Sequence, residues 1–425
     1  MTADRRARAV TALGLAQTLA WASSYYLPAM LATSMARDLG MSVPTVFAAF
    51  SLALVVSALL GPRAGAAIDR WGGRPVLMAT SVVFALGLAS LGLAQGPIGL
   101  FAAWVVIGIG MGSGLYEAAF ATLVRLYGKE SRGVITAITL IAGFASTVGW
   151  PLSTLLEAHI GWRGACLTWA ALNLVVGLPL NAWLPGAPAR PIAAPVQLDA
   201  FPPPQEQLPA SSLRATVTLS FVFAATWFIS TAMAAHLPRL LQLAGATLGT
   251  AVLVGALIGP AQVGARLLEF GLLRKVHPLL SARLAAALHP LGVMALALFG
   301  APAAAVFGVL HGAGNGILTI AKGTLPLIIF GPQGYGHRQG ALMLPARMAQ
   351  ALAPWLFGLA LDRWGTGALL MSATVGTLAF GVLFLVPGRH RPVDAETASP
   401  RAGPDDRVRQ DVAPVTSAKK SRAGA

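Results

Sequence analysis

At 425 residues, 56 % of them hydrophobic and only 11 % charged, the chain falls far below the roughly 25 % charged residues of soluble domains and reads as a membrane protein. The net charge of +15 does not imply a nucleic-acid partner: the basic residues sit in short turns and at the chain ends, as anionic lipid and the positive-inside bias dictate. The one cysteine, Cys166, lies inside an apolar run, which excludes a disulfide framework and a thiolate metal cluster built from one chain.

Arg5, Arg6 and Arg8 precede an apolar run with no clean small-residue cleavage site, so the start reads as a spanning helix rather than a signal peptide. A span needs about 20 apolar residues. Twelve runs qualify: 9–35, 43–69, 75–95, 97–124, 133–158, 161–184, 214–240, 247–273, 278–299, 302–330, 339–361 and 364–386. Their length predicts helices, not a barrel. Between runs six and seven, residues 185–213 hold eight prolines with Gln and Ser, the composition of a cytoplasmic linker. From 387 to 425, Arg, Asp, Pro and Ser mix, which predicts a disordered cytoplasmic tail. The expected organisation is a six-helix half at 1–184, a linker at 185–213, a second six-helix half at 214–386 and the tail.

Charge counting orients the chain. Arg5, Arg6, Arg8, Arg70, Arg74, Arg125, Lys129, Arg132, Arg274, Lys275 and Arg338 fall on one side, against Arg37, Arg163, Arg239 and Arg363 on the other. Both termini are therefore expected in the cytoplasm. The halves also look like repeats roughly 200 residues apart. Gly61-Pro62 matches Gly259-Pro260, and Gly110-x-Gly112-x-Gly114 matches Gly312-x-Gly314-x-Gly316. Trp150-Pro151 is answered by Ala353-Pro354.

The turn between runs two and three reads Gly65-Ala-Ala-Ile-Asp69-Arg70-Trp-Gly72-Gly-Arg74. Gly65 is expected to admit a neighbouring helix, Asp69 to end the first helix and the arginines to hold the turn in the cytoplasm. This Gly-x-x-x-Asp-Arg-x-Gly-x-Arg pattern, in this setting, resembles the loop between helices two and three of the major facilitator superfamily. Over residues 9–386 the resemblance implies an all-α membrane protein of twelve helices in two parallel-repeat halves. It implies a central cavity lined by helices one, four, seven and ten, flanked by two, five, eight and eleven, with Gly65, Asp69, Arg70, Gly72 and Arg74 gating the rocking of the halves. Two positions depart from the family's proton-coupled exporters. Trp104 stands where an arginine precedes Gly108, and Gly149-Trp150-Pro151 interrupts the antiporter signature. Both argue against an ordinary proton/drug antiporter.

Polar residues inside spans mark function. In run ten His311, Asn315, Thr319 and Lys322 share one helix face, with Lys322 roughly 12 Å deep at 1.5 Å per residue. Lys322 reads as a cation for an anionic solute group or as one half of an ion pair. Glu117 in run four is the natural proton carrier, or a fixed partner of Lys322 or Arg347. Arg347 in run eleven, sharing a face with Met343, Gln350 and Pro354, suits bidentate binding of a carboxylate or oxyanion, or a packing role against Glu117. Gln17, Trp21, Ser24 and Tyr25 in run one, beside Tyr26, and Trp227 and Ser230 in run seven, beside Thr231, read as aromatic and hydroxyl lining. Tryptophan and tyrosine near span ends also serve as interfacial anchors.

His236 and Arg239 read as interfacial, His289 as hydrogen-bonded packing, and Arg266 and Glu269 as a pair along their helix. No Walker-type loop, metalloprotease motif or serine-nucleophile signature is present, and the histidines are too scattered for a metal site. No cofactor is expected. The partners are a small solute and the lipid bilayer, and the molecule reads as a monomer in a bacterial inner membrane. The function that fits is secondary active transport of a small anionic or amphiphilic organic solute or oxyanion, coupled to protons. The alternatives are efflux of a drug or toxic compound through an aromatic-lined cavity, uncoupled facilitation, and a sensor or membrane enzyme on a transporter scaffold.

Overall fold

The computed structural model describes residues 3–127, 131–186, 210–271, 276–330 and 335–386. Most of the expected linker, all of the tail beyond 386, and Lys129, Arg274 and Lys275 lie outside the described residues. The first half contains α1 (Ala3–Ser23), α2 (Leu27–Asp38), α3 (Val43–Trp71), α4 (Gly73–Gly92), α5 (Pro97–Gly114), α6 (Tyr116–Tyr127), α7 (Ser131–Ala142), α8 (Ala145–Leu172) and α9 (Leu178–Ala182). The second contains α10 (Ala210–Leu243), α11 (Leu248–Gly271), α12 (Pro278–Phe299), α13 (Ala304–Phe330), α14 (Tyr335–Trp364) and α15 (Ala368–Val382).

Nine helical stretches among the described residues are long and apolar enough to cross a membrane. Two of them, Gly133–Ala182 and Leu342–Leu385, run 50 and 44 residues. At 1.5 Å per residue these would be about 75 and about 66 Å, twice a hydrocarbon core of about 30 Å. Each reverses at a glycine with positive φ, Gly161 (70°) and Gly365 (54°), which a side chain would strain. Counted as two passes each, and with α1–α2 added, the helices account for the twelve runs. Large apolar side chains such as Ile98 and Val175 face outward, the reverse of a water-soluble surface and what lipid requires.

Three runs of the first half are split into separate helices, and run six passes through a π-helical stretch, Asn173–Gly177, between α8 and α9. Run one breaks at Ser24–Tyr26 into α1 and α2. Run four breaks at Leu115, whose backbone is extended. Run five breaks at Gly143–Phe144 between α7 and α8. The turn after run two differs in detail as well: α3 continues past Asp69 to Trp71 and stops at Gly72, at φ 91°.

Within each half, helices approach at the distance their backbones allow. A Cβ on Gly108 or Gly112 of α5 would sit 2.6 Å from the Ala53 carbonyl or 2.7 Å from the Ser57 carbonyl of α3. On Gly312 and Gly316 of α13 the same atoms would meet the carbonyls of Ile258 and Gln262 on α11 at 2.9 and 2.6 Å. These are small-xxx-small contacts. They also correct the repeat register: Gly108 and Gly112, not Gly110 and Gly114, stand where Gly312 and Gly316 stand.

A second repeated pair ties the end opposite the Arg70–Arg74 turn. Ser34 of α2 donates to Glu157 of α8, and Arg239 of α10 pairs with Asp362 of α14 at 2.7 Å. We call this the far end, and the end bearing Arg70 and Arg74 the basic end.

The halves meet along three seams, α2 with α10, α3 with α14 and α8 with α11. On α3 the seam involves Pro44 and Phe47 near the far end. Gly65, near the basic end of α3, has nothing within 4 Å of the place a Cβ would take. The close approach expected there occurs instead at Gly61, which makes room for Glu117, and at Gly73, which abuts Thr122. Arg125 of α6 holds the end of α3, donating to the Ile68 carbonyl at 3.0 Å and to the Asp69 carbonyl. Arg70 lies over the Trp71 ring at 5.3 Å.

The tightest point of the α8–α11 seam is Gly255, where a Cβ would lie 1.7 Å from the Trp150 ring. Gly255→Val is expected to cost about 1–3 kcal/mol by overpacking, read as a lower thermal midpoint in detergent, whereas Gly264→Ala, which faces open space, leaves the midpoint within a degree or two of the parent.

Candidate functional site

The site forms where the first half's helices break. At the first break Ser24 Oγ donates to the Ala20 carbonyl (2.6 Å) and covers the frayed end of α1, while Pro28 pre-sets the start of α2. At the second, the Gly114 carbonyl accepts from Gln17 Nε2 (2.6 Å). At the third, Arg266 Nη1 of α11 reaches across and donates to the Thr139 carbonyl (3.1 Å). The breaks turn Tyr25, Tyr26, Leu115, Tyr116 and Gly143 onto one cavity of about 340 Å³ between the halves. Helices α1, α3, α5–α7, α10, α11, α13 and α14 contribute to its wall.

Among the described residues, the cavity lining carries three cationic side chains, Arg266, Lys322 and Arg347, and one carboxylate, Glu117. Lys322 is only 9 % exposed, and its Nζ lies 4.7 Å from the Trp227 ring centroid, a cation–π arrangement. Arg347 of α14 pairs with Glu117 of α6, so an ion pair crosses from one half to the other inside the cavity. Both partners are partly exposed to it, 35 % and 52 %, so the pair is hydrated and can be competed for. Tyr25 Oη donates to Thr231 Oγ1 at 2.8 Å, a second link between the halves. Trp21 sits against Tyr25 (5.0 Å) and Tyr116 (4.8 Å), and Tyr116 stacks on Phe120 (5.3 Å). One side of the cavity is thus aromatic and the rest carries an excess of positive charge.

Of the residues expected from sequence, the structure brings Trp21, Tyr25, Glu117, Trp227, Ser230, Asn315, Lys322 and Arg347 to this cavity. It does not bring Gln17, Ser24 or His311. Gln17 and Ser24 are buried and spend their polar groups on the carbonyls of broken helices. His311 turns to the other side of α13, where its Nδ1 lies 3.0 Å from His289 Nδ1 and its ring stacks on Phe307. His289 also reaches Ser372 Oγ at 3.2 Å, so it packs through hydrogen bonds, as expected. Asn315 and Ser230 border both the cavity and a void of about 30 Å³ beside this histidine pair.

Two expectations change outright. Arg266 does not read along its helix to Glu269 but into the cavity, beside Gln262 and Thr139. The signal was available: Gln262 and Arg266 stand one helical turn apart, just after Pro260. His236, expected at the interface with lipid headgroups, is fully buried against Phe47 and Phe357. Tyr116, Phe120 and Gln262 join the wall without having been singled out. A larger recess of about 620 Å³ lies before α5, but among the described residues no charged side chain lines it.

The model for the Major Facilitator Superfamily matches residues 13–321. A Thermoproteus tenax protein described as an uncharacterized 38 kDa protein in the 23S RNA operon is 30 % identical over 368 residues, covering 86 % of this chain and 91 % of that one. Monocarboxylate transporter 11 of Mus musculus is 30 % identical over 200 residues, 43 % of this chain and 42 % of that one. The multidrug resistance protein MdtH of Salmonella paratyphi B is 28 % identical over 147 residues, 35 % of this chain and 36 % of that one. The chain thus matches less than half the length of either named transporter. A crystal structure of a D-xylose–proton symporter superposes with a TM-score of 0.72 at 14 % identity, covering 91 % of this chain and 98 % of that one, a likeness of fold.

Because Gln17 holds the broken end of α5 from outside the cavity, Gln17→Leu is expected to leave the Gly114 carbonyl unpaired at a cost of about 1–3 kcal/mol. The thermal midpoint falls, while the dissociation constant of any cavity ligand stays within about twofold.

Proposed function

The chain belongs to the Major Facilitator Superfamily, and from that premise we propose that it carries a small organic anion across the membrane by alternating access, coupled to protons. The observation that carries this reading is the charge of the cavity: Arg266, Lys322 and Arg347 against Glu117 alone. A carboxylate or oxyanion entering it would meet cations already drawn out of bulk water, where charge-assisted hydrogen bonds are strong. The aromatic side, from Trp21 to Trp227, would cover the solute's apolar body. The similarity to a protein named as a monocarboxylate transporter supports the same class of solute.

The ion pair between Arg347 and Glu117 links solute to proton in this reading. An anion that binds the Arg347 guanidinium competes with Glu117. The released carboxylate is then the proton carrier of this reading. Solute and proton then bind together, and the tie between the halves is loosened in the same step. In this reading the basic end faces the cytoplasm of a cell whose inner membrane holds the protein, and the far-end seams are joined. In this reading Gly65, Asp69, Arg70, Gly72 and Arg74 form the gate at the basic end.

A second reading, efflux of an aromatic compound, is favoured by the six aromatic rings of the wall and by the similarity to MdtH. Binding separates the two. In purified protein, organic carboxylates are expected to raise the thermal midpoint in proportion to the logarithm of their concentration over Kd. Lys322→Ala or Arg347→Ala is expected to weaken that binding about tenfold to a hundredfold, the loss of one charge-assisted hydrogen bond. Stabilisation by cationic aromatics, unchanged in Lys322→Ala, would replace anion transport with efflux.

For the coupling, proteoliposomes carrying Glu117→Gln are expected to keep solute exchange at equal pH within about twofold but to lose the acceleration given by an inward proton gradient. Gradient-driven uptake that survives this substitution removes Glu117 from the proton path.

A further inference from the structure

His236 lies on α10 at the far end, in the seam that joins the halves. It is 0 % exposed. Its ring centroid is 3.9 Å from that of Phe47 on α3, which belongs to the other half, and 5.7 Å from that of Phe357 on α14. Gly358 lets the ring in: a Cβ there would lie 3.2 Å from His236 Cε1 and 3.8 Å from Pro44 Cα of α3. The imidazole is thus a plug clasped by both halves.

Its hydrogen bonding defines its protonation. Nε2 lies 2.7 Å from the Pro354 carbonyl, which can only accept, so Nε2 carries the hydrogen and Nδ1 is the free base. Nδ1 is buried and has no hydrogen-bond partner among the described residues. A proton added there would put a positive charge and an unmet N–H among aromatic rings. Such a group is costly until water or an acceptor reaches it.

The charged groups on the packed elements do not offer that acceptor. On α10 itself Arg239 is paired with Asp362 of α14 at 2.7 Å. On α2 Asp38 accepts from Trp162 Nε1 at 2.7 Å, and Arg37 donates to Ser34. The charges of α3 (Arg63, Asp69, Arg70), Arg214 of α10, Arg266 and Glu269 of α11, Lys322 of α13 and Arg347 of α14 lie towards the cavity or the basic end, and Arg363 of α14 is exposed at the far end.

We propose that His236 is a proton-binding site of the transport cycle, shut in this conformation and opened with the far-end seam, so that a proton taken up from that side holds the seam open. The step is a plain addition: one proton from the far-side water joins the Nδ1 lone pair, and opening hydrates the imidazolium. By linkage, the conformation that binds the proton better is the one that acid populates. This rests on the alternating-access reading above and is independent of which solute is carried.

Spin labels at Arg37→Cys and Gln242→Cys, both exposed far-end positions on opposite halves, report the seam by pulsed dipolar spectroscopy in nanodiscs without solute; Cys166 is buried and does not label. Between pH 8 and pH 5.5 the ratio of long to short distances is expected to rise, by at most about tenfold per pH unit for one proton. His236→Gln keeps a donor for Pro354 but has no base to protonate, and it is expected to abolish the rise. His236→Phe controls for packing and should do the same. A ratio that does not change with pH in the parent protein, or a rise that persists in both variants, overturns the proposal. Solute binding lost in Lys322→Ala while the seam still answers to pH would leave this inference standing, and a seam insensitive to pH in a protein that binds anions would defeat it alone.

Discussion

Hydrocarbon offers a backbone no water, and the placement of broken helices here follows from that. An unpaired N–H or carbonyl in lipid costs several kcal/mol, so irregular backbone is tolerated only where it borders a wet cavity or is capped by protein. All three breaks in the first half satisfy this condition. The Ser24–Tyr26 break and the Leu115 break supply Tyr25, Tyr26 and Tyr116 to the cavity, and the Gly143 break opens beside them. Buried polar groups that face away from the cavity, Gln17 and Ser24, cap the carbonyls so exposed.

The two halves consequently divide the labour. The first half is broken and brings most of the aromatic surface and the carboxylate. In the second half α10, α11, α13 and α14 run unbroken through the cavity wall and bring the cations Arg266, Lys322 and Arg347. Rigid helices suit charges that must stay in place against desolvation, while broken helices can aim side chains that an ideal helix would direct elsewhere. The halves are then held by contacts of unequal character. Far-end seams are packed and dry, with Trp150 against Gly255 and His236 against Phe47. The cavity link is polar, an ion pair that a solute can contest. In the cycle we propose, solute acts on the first joint and protons on the second.

The repeat explains why two chemically different pairs occupy matching places. Ser34 with Glu157 and Arg239 with Asp362 tie the same two helices in each half, close to the far-end turns. In both the acceptor is a carboxylate on the later helix, and only the donor has changed, from hydroxyl to guanidinium. The glycine stripes of α5 and α13 repeat likewise, because two backbones can approach to carbonyl contact only where no Cβ intervenes.

Much of the architecture was legible in the sequence because it depends on one-dimensional quantities. Run length against bilayer thickness gave twelve passes, and the charged turn at Gly65–Arg74 pointed to the superfamily. Spacing of 3.6 residues per turn also placed Asn315, Thr319 and Lys322 on one face, and the structure keeps them on one wall. The same periodicity misled at His311, since the stripe wraps far enough around α13 for its first member to meet His289 instead. The breaks at Leu115 and Gly143–Phe144 left no hydropathy signal, because leucine, glycine and phenylalanine read as continuous hydrocarbon. Arg266, Tyr116 and His236 were decided only by tertiary packing. Which side of a helix faces the cavity, and which histidine is sealed in a seam, depend on partners roughly 100 to 200 residues away, and no local pattern encodes those distances.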